Sequence, residues 1–104
     1  MNQFDVVANP FPRSRERQPF LVALQCDILT RNFDTVVVAP LEPAASGTFA
    51  DRLNPRIEID GGAFVLITQE IVTVRKSVLG RARASIAAER DKIISALDML
   101  FTGF

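Results

Sequence analysis

Cys26 stands between Gln25 and Asp27, and a thiol beside a carboxylate is one pattern of an activated nucleophile. Activation needs a cation or an imidazole to favour the thiolate. The local sequence supplies neither, so Cys26 is expected to be an inert, buried residue. Asp91 and Asp98 form a second candidate pair, seven residues apart in a segment of helical period. Two turns place them roughly 10 Å apart along the axis, too far to share a proton, which makes them part of an ordinary polar face. A third group is Arg13, Arg15 and Arg17, partly neutralised by Glu16. It reads either as a docking site for an acidic segment or a phosphate, or as a solvated loop. The fourth is the end of the chain, Leu100-Phe101-Thr102-Gly103-Phe104. There Phe104 either folds back on the last helical turn or presents an apolar tip to a partner.

Composition removes whole classes of chemistry. The 104 residues contain no histidine and one cysteine. Zinc sites of the Cys/His kind are therefore excluded, and so are serine or cysteine nucleophiles that rely on a histidine base. No metal and no cofactor is expected. The formal net charge is zero, whereas nucleic-acid binders generally carry a basic field, so direct sequence-specific binding to nucleic acid is not expected. The lone cysteine cannot close an intrachain disulfide. No run of apolar residues is long enough to span a bilayer, and no signal-peptide pattern opens the chain, which points to the cytoplasm. With 48% hydrophobic residues, a single domain over residues 1–104 exposes apolar surface, and that favours a dimer.

The elements that position these groups follow from periodicity. Phe4-Asp5-Val6 alternates as a half-buried strand does. Asn9 to Gln18, with two prolines and three arginines, reads as a mobile loop. Phe20 to Cys26 is a strand, Asp27 to Asp34 a connection, and Thr35 to Ala39 a strand ended by Pro40. Pro43 to Asn54 is a loop. Asp60-Gly61-Gly62 between Arg56–Ile59 and Ala63–Thr68 is a hairpin signal, because such turns need positive φ. Ile71 to Val74 begins another strand, continuing to about Leu79. These short strands suggest a small barrel or a curled sheet. The period then changes: Ile86, Arg90, Ile93, Ile94, Leu97, Leu100 and Phe101 define one face of a helix, with Arg90 snorkelling and Gly103 as its C-cap.

The terminal segment Lys92 to Phe104 resembles the C-terminal helix of the CcdB family. Three further blocks agree in order and spacing. The first is Phe20 to Leu29, including Gln25, Asp27, Ile28 and Leu29. The second is Val38, Pro40 and Leu41. The third runs from Leu53 and Pro55 through Ile59, Thr68, Thr73, Val74 and Ser77 to Gly80. The likeness covers essentially the whole chain, with a longer N-terminal loop and drift between Glu42 and Ala50.

What the resemblance implies is specific. The fold would be mainly β with one C-terminal α-helix, an SH3-like barrel of the CcdB/MazF type with an added small sheet, paired as a homodimer. The function would be that of a toxin in a type II toxin–antitoxin module. Such a toxin binds the A subunit of DNA gyrase, traps its cleavage complex and is neutralised by a cognate CcdA-like antitoxin. Carried over by position, the topoisomerase contacts fall on Ile28, Leu29, Asp98, Thr102, Gly103 and Phe104. Arg13, Arg15 and Arg17 are the candidate antitoxin contacts. The family pattern has a tryptophan where this chain has Thr102, and a neutral amide where it has Asp98. Phe104 supplies part of the missing aromatic area. Topoisomerase IV is the alternative target. Two other readings stand beside this one: a MazF-like endoribonuclease using Arg31, Arg75 or Arg81, and a toxin-derived module that only binds antitoxin.

Overall fold

A computed structural model describes residues 1–104. Its elements are β1 (Asp5–Ala8), β2 (Phe20–Ala23), α1 (Asp27–Asn32), β3 (Thr35–Pro43), β4 (Arg56–Ile59), β5 (Gly62–Leu66), β6 (Val72–Arg75), β7 (Ala84–Ser85) and α2 (Arg90–Thr102). The strands join one antiparallel sheet of order β4-β5-β3-β2-β1-β7, and β6 pairs with β3 off that path. The sheet curls into a nearly closed SH3-like barrel of the CcdB/MazF type, with α2 at the C-terminal end.

The long strand β3 organises the sheet. Its first half, Thr35 to Val38, pairs with β6, and its second half, Leu41 to Pro43, pairs with β5. Pro40 lies between the two and stays in register with Leu21 of β2. Its carbonyl accepts the Ile67 N–H at 2.9 Å. In extended backbone the N–H and C=O of one residue face the same edge. The N–H that proline lacks would therefore point into the junction between β5 and β6, and no ladder bond is lost. The strand consequently continues past the proline that was expected to end it.

Both faces of this sheet are covered. Val6, Val22, Leu41, Ile57 and Leu66 form one core with Phe4, Ile86 and Ile93, while Val7, Leu21, Ala23, Val36 and Val38 form a second on the opposite face. Burial on both sides explains why Phe20 to Leu24 and Val36 to Ala39 read as unbroken apolar runs instead of alternating ones. Leu79, on the chain leading from β6 to β7, packs against the second core. The β4–β5 hairpin closes as expected: Ile59 pairs with Gly62, and Asp60 and Gly61 both have positive φ, 50° and 80°.

Helix α2 buries Ile93 and Ala96 and half-buries Ile94 and Leu97 against the first core. The Arg90 guanidinium sits 6.0 Å from the centroid of the Phe4 ring, as a cation kept on an apolar face does. Gly103, at φ 77°, donates its N–H to the Met99 carbonyl at 3.1 Å and ends the helix.

Several expectations are corrected. The stretch Asp27 to Asp34 contains helix α1, which at six residues is too short to show an apolar period. Strand β6 stops at Arg75 because Lys76–Val78 tighten into a 3-10 turn. Cys26 is exposed, since it sits at the N-cap of α1 outside the sheet. Phe101 leaves the core stripe, because the last turn of α2 runs beyond the packed residues. No helix is long and apolar enough to cross a membrane.

Candidate functional site

Helix α1 is held by its polar groups. Asp27 accepts the Gln3 backbone N–H at 2.6 Å, and the buried Thr30 hydroxyl donates to the Cys26 carbonyl at 3.1 Å. Gln25 donates its amide to the Thr35 carbonyl at 3.0 Å, and Lys76 donates its ammonium to the Thr30 carbonyl. Pinned from that side, α1 turns its large apolar residues outward. Ile28 is 63% exposed, Leu29 45%, and Phe33, just past the helix, 55%. A helix with threonine inside and isoleucine outside is poorly arranged for solvent and well arranged for a partner.

The end of α2 is arranged similarly. The Thr102 hydroxyl donates to the Asp98 carbonyl at 2.7 Å and accepts the Phe104 N–H at 3.4 Å. With the Gly103 bond to Met99, these contacts fix the terminal backbone while its aromatic rings stay outside. Phe101 is 69% exposed and Phe104 84%. Phe104 does not fold back on the last turn. Asp98, Thr102, Gly103 and Phe104 are therefore brought together, and Ile28 and Leu29 form a separate patch on α1. No hydrogen bond or ion pair joins the two within one chain.

The loop carrying the arginines is ordered by two buried amides. Asn9 donates to Ser14 Oγ at 3.0 Å and to the Gln18 carbonyl at 2.8 Å, and accepts the Phe11 N–H at 2.9 Å. Gln18 donates to Glu42 at 2.7 Å and Glu70 at 3.1 Å. Arg17 stands 3.8 Å from each of those carboxylates. The loop is thus tied to β3 and to the turn after β5, where mobility was expected. It also divides the three arginines: Arg17 is engaged with Glu42 and Glu70, whereas Arg13 and Arg15 are exposed and make no ion pair.

Other candidates do not assemble a reactive centre. Asp91 lines an open depression of about 370 Å³ with Asp51, Arg52, Arg56, Lys92 and Ser95, away from Asp98. Arg75 lines a shallow hollow of about 210 Å³ with Asp34, Lys76 and Ser77, and neither Arg31 nor Arg81 reaches it. Sequence reasoning missed Phe33 and the Gln18–Glu42–Glu70 clamp. The only signal for Phe33 was an aromatic placed between the polar Asn32 and Asp34. The clamp joins residues far apart in sequence and left no local trace.

Comparison with known proteins adds the family context. The family model described as CcdB protein matches residues 3–103. No curated protein matches the chain. Among solved structures, a mycobacterial endoribonuclease in complex with its cognate antitoxin superimposes with a TM-score of 0.72 at 16% identity, covering 96% of this chain and 93% of that one. The Mycobacterium tuberculosis toxin MazF-mt6 gives 0.69 at 12% identity, covering 96% of both chains. An Mtb toxin gives 0.67 at 17% identity, covering 81% of this chain and 92% of that one.

Proposed function

The chain belongs to the CcdB family, toxins of toxin–antitoxin pairs, and on that premise we propose that it is a non-catalytic poison of a type II topoisomerase. It works as one domain over residues 1–104, paired as a homodimer, with the A subunit of DNA gyrase as target. Ile28, Leu29, Asp98, Thr102, Gly103 and Phe104 are the contact residues. The observation that carries this reading is the end of α2, where the backbone is fixed by hydrogen bonds and two phenylalanines are left in solvent. Large rigid aromatics of this kind anchor interfaces, and they do not by themselves make or break a bond. The antitoxin is the second partner, and Arg13 and Arg15 are the available cations for its recognition. Deleting Thr102–Phe104 tests the reading. A folded protein that no longer inhibits supercoiling is expected, and unchanged inhibition rejects the terminus as the contact.

A second reading is an endoribonuclease. It is favoured by the shared fold of the mycobacterial endoribonuclease and the MazF toxin. Fold alone does not carry chemistry, and RNA cleavage needs a cation placed against the charge that develops in the transition state. Arg31, Arg75 and Arg81 are exposed, and the hollow lined by Arg75 includes neither of the other two. Incubating RNA with the purified protein separates the two readings. Cleavage that is lost on replacing Arg75 establishes the second.

A further inference from the structure

The turn between α1 and β3 carries a side chain for which the fold has no use. Phe33 belongs to neither core, and the aromatic pair of the chain, Phe20 with Phe64, does not include it. Its backbone is extended, with φ −118° and ψ 154°, a conformation open to almost any residue, so nothing local requires a ring. The backbone is nevertheless fixed on both sides. Phe33 donates its N–H to the Leu29 carbonyl at 2.9 Å. The Asp34 carbonyl accepts the Lys76 N–H at 2.9 Å, and the Thr35 carbonyl accepts the Gln25 amide at 3.0 Å. Four residues separate Phe33 from Leu29, the spacing at which side chains on one helix face become neighbours. Arg31, Asn32 and Asp34 around it are all exposed.

We propose that Phe33 is a specificity-determining contact with the topoisomerase, the aromatic anchor of the α1 patch that Ile28 and Leu29 begin. The inference rests on the topoisomerase reading and adds a residue which that reading does not include. The occupant follows from continuity, because Phe33 shares a helical turn with Leu29 and closes it by a backbone hydrogen bond. An apolar centre with a polar rim is the anatomy of a binding patch, and aromatic residues are its usual anchors. The ring has two rotatable bonds and a backbone already held, so little ordering remains to be done on binding. The matching surface on the topoisomerase is an apolar pocket that admits one flat ring.

The test is a calorimetric titration of the full-length chain against the purified gyrase A subunit, with a thermal melt of every variant. Phe33→Ala is expected to weaken binding roughly tenfold. Its melting temperature should stay within about 3 °C of the unaltered chain, because the ring packs in neither core. Phe33→Leu, which keeps apolar bulk without the ring, should fall between the two in affinity. Phe11→Ala removes a partly exposed ring outside the patch and should leave binding unchanged. Combined with Leu29→Ser, Phe33→Ala should weaken binding by less than the product of the two single effects, as neighbours in one patch do. Binding by the unaltered chain that ignores Phe33→Ala overturns the proposal and leaves the topoisomerase reading standing. So does a Phe33→Ala protein whose lost affinity comes with a lost fold. Absence of any binding by the unaltered chain defeats the topoisomerase reading and the proposal together.

Discussion

Two substitutions near the C-terminus separate a residue that holds α2 in place from one proposed to meet a partner. Ile93 is fully buried in the first core, and Phe104 is 84% exposed just past the helix end. Truncating Ile93 to alanine removes buried methyl and methylene groups and leaves a cavity, at a cost of about 3 kcal/mol. For a chain of 104 residues each kcal/mol shifts the Tm by about 5 °C, so Ile93→Ala should lower it by about 15 °C. Phe104→Ala removes a ring that packs on little, and the Tm should stay within about 3 °C. Binding should respond in the opposite sense. A phenylalanine offers about 150 Å² for burial, worth up to about 4 kcal/mol at 25 cal/mol per Å². Ordering and imperfect fit leave about 2 kcal/mol, or roughly thirty-fold in affinity. Differential scanning fluorimetry gives the first quantity and titration against the purified gyrase A subunit the second. A Phe104→Ala protein that melts as low as Ile93→Ala, or that binds as tightly as the unaltered chain, refutes the assignment of that ring to a docking surface.

The remaining predictions test individual parts. Gln18→Leu leaves Glu42 and Glu70 without their shared amide donor and should cost about 1–3 kcal/mol, read as a lowered midpoint in urea. Gly103→Ala places a Cβ at φ 77° and should cost about 1 kcal/mol, seen in amide exchange as fraying confined to the last turn of α2. Ile28→Ser with Leu29→Ser should leave the melting temperature within about 3 °C, because both side chains are already exposed, while weakening topoisomerase binding in the same titration.

The sequence made the fold legible where the signal was local. Asp60-Gly61 announced its hairpin because both positions need positive φ, and Gly103 announced the end of α2 for the same reason. Helix α2 itself followed from the spacing of Ile93, Ile94 and Leu97, which pack against one core. Pro40 misled, because whether a proline ends a strand depends on which edge its missing N–H faces, and that edge is set by the partner change from β6 to β5. Helix α1 was invisible since six residues with two adjacent apolar side chains, Ile28 and Leu29, are too few to show a helical period. Cys26 was misplaced for a related reason: it was read as the end of a buried strand when β2 had already finished at Ala23. Of the candidate site, the apolar terminus was visible as a composition. Its exposure was not, because the sequence left open whether Phe104 packs back on the helix.

The account is tested most directly by mixing the purified protein with gyrase and supercoiled plasmid, then denaturing the enzyme and scoring DNA breaks, with RNA incubated in parallel. Docking without catalysis predicts that linear DNA accumulates with the unaltered chain, that Phe104→Ala sharply reduces it, and that the RNA stays intact. Cleaved RNA beside undamaged plasmid contradicts it.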